Sequence, residues 1–164
     1  MASKGAVFNS VSSDLEKYRK DTVKKIKDLV GVVVSELLHK AQRGLDAASY
    51  DRENMSRANM DSMNAIHLAS KVTKGGLKGE VGVFGGSVDD PVVMIAAYIE
   101  FGTGLSAKDI LANYAEDIKA IARLYFKTGD GTLQGSPYLY NNYQAAIPQF
   151  EKDLKAILDK VTKS

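Results

Sequence analysis

The sequence predicts an α+β fold, and three patterns support this prediction. Apolar residues from Leu15 to Leu45 recur at steps of three and four, the spacing of one face of an amphipathic helix. Two short apolar segments flank Lys74-Gly75-Gly76, which is typical of a β-hairpin with a glycine turn. A segment from Ile147 to Val161 again has helical spacing. We therefore expect a long N-terminal helix and a C-terminal helix packed on a small antiparallel sheet, with an inserted helix between them.

Length and composition predict a single domain over residues 1–164. A hydrophobic fraction of 45% can supply one core, and 26% charged residues argue against general disorder. A net charge of only +2 lacks the basic excess of a general nucleic-acid binder. The chain has no cysteine, which excludes disulfides, a thiol nucleophile and cysteine-bound metals. Its apolar segments are far shorter than the roughly 20 residues that span a bilayer, so we expect no membrane partner.

The N-terminal half is predicted to contain the long helix and the hairpin. Residues 1–13 are small and polar, without the apolar core of a secretory signal, and we expect a flexible arm. The helix follows from Leu15 for about 30 residues, with lysines on its polar face. Residues 46–60 lack periodicity, which fits either a loop or a short helix. We expect one strand from Leu77 to Phe84 and an earlier one from Met63, with these residues on one side: Ile66, Leu68, Ser70 and Val72.

The C-terminal half is predicted to be helical. Asp89-Asp90-Pro91 is a favourable helix start, because aspartate caps helix N-termini and proline is tolerated in the first turn. This helix ends at the glycine corner Gly102-Thr103-Gly104. The inserted helix follows Ser106 and continues to about residue 126, with one apolar face: Ile110, Tyr114, Ile118, Ile121 and Tyr125. In the C-terminal helix, Pro148 is expected in the first turn or at a kink.

The sequence offers no arrangement typical of an active site. His39 and His67 are the two histidines, and without cysteines or closely spaced carboxylates they do not form a metal site, so we expect surface or edge positions. The glycines near Gly75, Gly82 and Gly85 match neither the phosphate-binding nor the dinucleotide-binding pattern, and turns or bulges explain them better. We therefore expect no enzyme activity and no catalytic, cofactor-binding or metal-binding residues.

Glu100 and a group of tyrosines each allow two interpretations. Glu100 either accepts backbone N–H groups from the Gly102–Gly104 turn, which we favour because a buried carboxylate requires donors, or faces a ligand or a neighbouring subunit. Tyr138, Tyr140 and Tyr143 fit ordinary packing and an interface equally well, because tyrosine buries area and keeps a polar tip. The lysine face of the first helix is expected to be solvated, with DNA phosphates or an acidic subunit as alternatives.

Two short motifs resemble a known protein family. The first is Tyr98-Ile99-Glu100-Phe101-Gly102-Thr103-Gly104, and the second is Ser136-Pro137-Tyr138-Leu139. They are similar to the aromatic-x-Glu-aromatic-Gly-Thr block and the Pro-aromatic-Leu block of the tail-completion proteins of long-tailed bacteriophages (neck, minor tail component or head–tail joining proteins). Tyr138 stands where phenylalanine is commoner. The resemblance covers the chain from Leu15 to Val161, and residues 105–135 form an insertion between the two blocks.

The resemblance implies a structural virion protein of the phage neck, assembled in the host cytoplasm. Its copies would form a ring, sixfold or twelvefold, between the tail tube or tail terminator proteins and the portal-side neck proteins of the head connector. DNA would pass through the channel without sequence-specific binding. Head-closure and tail-terminator proteins are alternatives within the same neck. A nucleic-acid or small-ligand binding domain is the alternative from another class.

The same resemblance implies interface candidates within the two motifs. Segments 1–13, 46–60 and 105–135 are candidates to become ordered only on assembly. We expect Glu100→Ala and Tyr138→Ala to impair assembly more than folding. The motif and interface candidates are Tyr98, Glu100, Phe101, Gly102, Thr103, Gly104, Pro137, Tyr138 and Leu139.

Overall fold

The computed structural model of the chain has the predicted α+β architecture, with helices dominating. It describes residues 4–48, 65–84, 86–87, 89–102, 112, 114, 116, 118–120, 122 and 135–162. No described helix is both long enough and apolar enough to cross a membrane. In chain order the elements are α1 (Lys4–Ala47), β1 (Ala69–Thr73), a 3-10 turn (Lys74–Gly76), β2 (Lys78–Gly82), α2 (Pro91–Phe101) and α3 (Tyr140–Thr162).

Helix α1 begins earlier than the sequence predicted. It runs for 44 residues from Lys4, a length of about 66 Å, so residues 4–13 are helical where we expected a flexible arm. The physical reason is that a helix, once nucleated, extends by one hydrogen bond for each residue it fixes. Phe8 and Val11 also continue the apolar spacing that begins at Leu15. Side chains from Ser12 to Lys17 are exposed, so the described structure leaves this part of α1 uncovered.

Helices α1 and α3 pack side by side in opposite directions. The Tyr18 hydroxyl donates to the Lys160 carbonyl near one end of the pair (3.2 Å), and the Asn142 amide donates to the Lys40 carbonyl near the other (3.5 Å). Since α3 begins at Tyr140, Pro148 lies well inside the helix and not in its first turn. The pairing gives the C-terminal helix a fixed place along α1.

The hairpin is confirmed, but its strands are shorter than predicted. Residues 69–73 pair antiparallel with residues 78–82, from Ala69 opposite Gly82 to Thr73 opposite Lys78. The turn requires left-handed backbone at Gly75 (φ 63°) and Gly76 (φ 98°). A Cβ on Gly76 would lie 2.8 Å from Cγ of Lys27, so glycine also lets the turn lie close to α1.

Ile66 and Leu68 do not belong to the first strand. Both are buried, whereas Val72, predicted on the same side, is 47% exposed. The difference arises because the opposite strand reaches only from Lys78 to Gly82, so β2 does not pair with the residues before Ala69. The Leu68 amide instead donates to the Gln42 side chain on α1 (3.3 Å). Residues before Ala69 therefore enter the core as irregular chain.

One apolar cluster joins α1, the segment before β1, α2 and the start of α3. Ile99 of α2 is its least exposed large side chain, at 1%. One face of α2 therefore contributes to the core, which it shares with residues of α1. The buried members of the cluster are Ala41, Leu45, Ala48, Ile66, Leu68, Ile95, Ala96, Ile99 and Tyr138.

Part of the predicted inserted helix lies within the described residues. Residues 116, 118–120 and 122 are helical, whereas residues 112 and 114, which were also predicted to be helical, lie in a turn and a bend; the other residues of 106–126 lie outside the described residues. Tyr114 and Ala122 are buried, in contact with Phe101 and Tyr140. At these positions the insertion packs against the end of α2 and the start of α3. That residues 105–135 become ordered only on assembly stays a prediction. Residues 49–60 lie outside the described residues.

Candidate functional site

The end of α2 determines where Glu100 lies. Asp90 caps the helix by accepting the Val92 amide (2.8 Å), and Pro91 occupies its first turn, as predicted. At the other end, the Gly102 amide donates to the Tyr98 carbonyl (2.8 Å) while Gly102 adopts a φ of 77°. Glu100 therefore belongs to the last turn of α2. The negative end of the helix dipole disfavours a carboxylate there, so Glu100 requires donors from elsewhere.

Those donors come from the start of α3 and from the insertion. Glu100 Oε2 accepts the Leu139 amide (2.9 Å), and Oε1 accepts both the Tyr140 amide (2.9 Å) and the Tyr114 hydroxyl (3.2 Å). The first amides of a helix have no acceptor within the helix. Glu100 thus caps α3 from a distance of about forty residues in sequence, and a capping carboxylate is favourable at the positive end of a helix. We call this arrangement the Glu100 junction.

The environment of the junction perturbs two ionisable groups. Only 6% of the Glu100 surface is exposed. Burial raises the pKa of Glu100, and the hydrogen bonds from Leu139, Tyr140 and Tyr114 oppose this rise. Burial, and then the neighbouring Glu100 charge, raises the pKa of Tyr114 far above its usual range. Tyr114 therefore keeps its proton and serves as a donor to the carboxylate.

Two further hydrogen bonds connect the two sequence motifs. The Ser136 amide donates to the Ile99 carbonyl (2.7 Å), and the Tyr138 hydroxyl donates to the Ala96 carbonyl (3.3 Å). Tyr138 also packs on α1, where a Cβ on Gly44 would lie 3.1 Å from the Tyr138 Cβ. The residues that carry the resemblance to the phage family thus form one connected unit around the end of α2.

Burial changes the interpretation of several candidate residues. Glu100 and Tyr138 are both about 95% buried within the chain. The expectation that their replacement by alanine impairs assembly more than folding does not fit this burial. The described donors to Glu100 also differ from the Gly102–Gly104 turn that we favoured. Of the remaining candidates, Tyr98, Phe101, Pro137 and Leu139 are partly buried, Gly102 is buried, and Thr103 and Gly104 lie outside the described residues.

Beside the junction lies an open cleft with aromatic walls, which we call the aromatic cleft. Its volume is about 560 Å³. The rings of Tyr114 and Tyr140 stack with centroids 3.8 Å apart, and Phe101 meets Tyr114 edge-on at 5.7 Å. The cleft is lined by four aromatic residues (Phe101, Tyr114, Tyr140, Tyr143), six apolar or glycine residues (Val34, Leu37, Gly79, Val81, Ile118, Leu139) and two acids (Glu80, Glu100).

Sequence reasoning did not connect Tyr114 or Glu80 with this site. The sequence predicts Tyr114 on the apolar face of the inserted helix, and no sequence signal relates it to a carboxylate in another helix. Glu80 forms an ion pair with Lys78 on the same strand, and this contact lowers its pKa. Its approach to α3 depends on how the hairpin packs on α1. Only the tertiary structure brings these residues together.

The described residues contain no metal-binding group. No three histidine, aspartate or glutamate side chains converge in the part of the chain that the structure describes. His39 and His67 are exposed, as predicted, and His39 Nδ1 forms a hydrogen bond with the Ser35 carbonyl (2.8 Å). The most developed feature in the described structure is therefore the junction with its cleft.

Comparison with known proteins gives no further guide to function. No protein-family model, curated protein or solved structure matches this chain. The functional argument therefore depends on the motif residues and on the geometry that surrounds them.

Proposed function

We propose that this protein is a subunit of a bacteriophage neck ring, which joins the tail tube to the head connector during tail completion. In this proposal several copies surround the channel through which DNA passes, and the contacts to neighbours are made by surfaces outside the buried junction. The protein acts by assembly and not by catalysis.

The observation that carries the proposal is the union of the two motifs. In sequence, Glu100 and Leu139 are separated by the whole insertion, yet the carboxylate accepts the Leu139 and Tyr140 amides at 2.9 Å. If the resemblance were due to chance, there would be no reason for Glu100 of the first motif to cap α3, the helix that follows the second motif. The geometry gives each motif a physical role: Glu100 of the first motif is the cap, and the Pro-aromatic-Leu motif leads into the backbone amides that it accepts.

Exposed apolar surface next to the cleft is consistent with subunit contacts. Leu77 on the hairpin and Tyr143 on α3 are 52% and 50% exposed. Both line a groove of about 220 Å³ above Val33 and Leu37 of α1, and this groove shares Tyr143 with the aromatic cleft. Scattered exposed apolar residues are ordinary, but apolar residues that share one groove are typical of interaction sites.

The proposal is tested by a nonsense mutation in this reading frame in its native genome, followed by electron microscopy of the lysate. We expect DNA-filled heads beside separate tails of normal length. Tails of abnormal length would assign the protein to tail termination, and leaky or empty heads would assign it to head closure. Normal infectious particles would refute a role in the neck and would direct attention to nucleic-acid or small-ligand binding.

A further inference from the structure

Positive charge is concentrated on the first half of α1 and on the hairpin. Residues 16–28 and 69–82 together contain nine lysine or arginine residues and four acids, a net charge of +5. The whole chain has a net charge of only +2, so the other residues together are negative by three charges. A chain with little net charge thus contains a locally basic region, and such a region attracts a polyanion.

Four exposed lysines of α1 form a row along one face of the helix. They follow one another at steps of three, four and three residues, so they lie on neighbouring turns of the same face. The row covers ten residues, about 15 Å, with about 5 Å between successive positions. We call this row the lysine stripe; its members are Lys17, Lys20, Lys24 and Lys27.

The hairpin turn extends the stripe beyond α1. The stem of Lys27 lies against Gly76, since a Cβ on that glycine would be 2.8 Å from Cγ and 3.0 Å from Cδ of the lysine. Lys27 Nζ would lie 3.9 Å from a Cβ on Gly75, the residue that follows Lys74. Lys74 is itself exposed. The Lys27 ammonium group therefore lies at the turn, where Lys74 adds a fifth cation.

These five lysines are not neutralised by ion pairs within the described structure. None of the ion pairs among the described residues includes any of them. Asp21 and Asp28 follow Lys17 and Lys24 by four residues, but both acids are exposed and form none of these ion pairs either. Like charges three and four residues apart on a helix repel one another. A bound polyanion would relieve this repulsion, which gives the stripe a physical reason to bind one.

The side chains of the stripe favour the phosphate backbone of duplex DNA as the ligand. Lysine presents a compact cation with three donors, which binds phosphate oxygens as a point charge. A duplex carries one negative charge per 1.7 Å of its axis, so a length of about 15 Å presents about nine phosphates. None of the five residues is arginine, asparagine or glutamine, the planar side chains that bind base edges bidentately. None is aromatic, so the stripe has no ring to stack on unpaired bases.

We propose that the lysine stripe and Lys74 bind the phosphate backbone of double-stranded DNA without sequence specificity. This inference rests on the proposed neck ring, in which DNA passes every subunit, and it names the surface that faces the DNA. Non-specific contacts of this kind have a Kd of about 10⁻⁴–10⁻⁶ M at physiological salt and allow a protein to slide along DNA. A ring of such surfaces holds the DNA in the channel without preventing its passage.

Fluorescence anisotropy of a labelled duplex of about 20 bp, titrated with the 164-residue chain, tests this contact. The titration is repeated between about 50 and 200 mM salt and with two unrelated duplex sequences. We expect the logarithm of the association constant to fall with the logarithm of salt concentration at a slope of about −4.5, because five phosphate contacts each contribute about −0.9. We also expect the two sequences to bind within about twofold of each other, since backbone contacts carry no sequence information.

The triple variant Lys20→Gln, Lys24→Gln, Lys27→Gln removes three charges and little else. Glutamine has a helix propensity close to that of lysine and keeps the Cβ, Cγ and Cδ atoms that contact Gly76, so we expect unchanged circular dichroism. We expect binding at low salt to weaken at least tenfold and the slope to fall to about −2. Lys74→Gln alone should reduce the slope by about 1.

A second triple variant controls for net charge. Lys40→Gln, Lys152→Gln, Lys155→Gln removes the same number of charges from exposed positions outside the stripe. We expect its affinity for the duplex to stay within about twofold of wild type, with an unchanged salt slope. An equal loss of affinity in both triple variants would overturn the inference, because the binding would then depend on net charge alone.

Three other results would also overturn the inference. The first is a wild-type chain that shows no saturable binding up to about 1 mM at low salt, above the usual range for non-specific DNA contacts. The second is a difference of more than about tenfold between the two sequences, which base contacts produce and backbone contacts do not. The third is binding of poly-glutamate as tight as that of the duplex, which would assign the stripe to an acidic protein surface.

Failure of this contact is distinguishable from failure of the neck assignment. A wild-type chain without affinity for duplex DNA, together with separated heads and tails in the nonsense mutant, would leave the neck function standing and reject the DNA contact. Normal particles in the nonsense mutant, together with stripe-dependent binding of the duplex, would reject the neck function and leave the DNA contact standing.

Discussion

Replacing Glu100 by alanine tests whether a distant carboxylate caps α3. The substitution removes the acceptor of the Leu139 and Tyr140 amides and of the Tyr114 hydroxyl. Each buried donor left without a partner costs about 1–3 kcal/mol. Removing a desolvated charge returns part of that cost, since burial already raises the Glu100 pKa. We therefore expect a net loss of about 3 kcal/mol in the free energy of unfolding.

A matched variant, Glu100→Gln, separates the hydrogen bonds from the side-chain volume. An amide oxygen in the place of Oε1 still accepts from Tyr140 and Tyr114, and only the Leu139 amide loses its acceptor. We expect a cost of about 1 kcal/mol. For a chain of this length, 1 kcal/mol corresponds to a change of about 2–4 °C in Tm, so the alanine variant should melt about 6–12 °C below wild type.

Urea denaturation and native-state hydrogen exchange measure the two consequences. Denaturation gives the free energies, and exchange reports whether protection is lost at Leu139 and Tyr140 before the rest of α3. An alanine variant within about 0.5 kcal/mol of wild type would refute the capping argument, because surface substitutions without a structural role change stability by that amount. Equal losses for alanine and glutamine would also refute it, since the retained oxygen would then contribute nothing.

Three further predictions concern other positions and pH. Gly31→Ala should raise the free energy of unfolding by about 1 kcal/mol, because a Cβ there meets nothing within 4 Å and alanine favours the helix. Gly79→Ala should lower it by about 1–3 kcal/mol, because the added Cβ would clash with the Val34 side chain. Thermal melts of both variants measure these changes. Asp90→Ala should cost about 1 kcal/mol through the lost cap of α2, measured by urea denaturation. As pH rises from the ordinary glutamate pKa of 4.5 towards the raised pKa of Glu100, the folded state retains the proton that the unfolded state releases. Wild type should therefore lose stability relative to Glu100→Gln in this window, and parallel pH profiles would contradict this.

The sequence predicted the elements whose residues interact locally. The periodicity of α1, the Asp90-Pro91 start of α2 and the glycine turn of the hairpin are all present in the structure. Each depends on neighbours within a few residues, so spacing and propensity suffice. Boundaries were less accurate: α1 begins at Lys4, and β1 at Ala69 instead of Met63. The extent of β1 is determined by its partner strand, which the segment itself does not encode.

The sequence alone determined the α+β class, the two surface histidines and the two motif blocks as features of interest. The tertiary structure decided what the motif residues do. A buried carboxylate requires hydrogen-bond donors, and this requirement can be inferred from the sequence. The donors themselves cannot be identified from it, because Leu139 and Tyr140 approach Glu100 only when α3 packs against the end of α2. The aromatic cleft arises in the same way, from three helices and a hairpin that meet around Tyr114. Contacts between residues far apart in the chain depend on packing, and packing is a property of the whole fold.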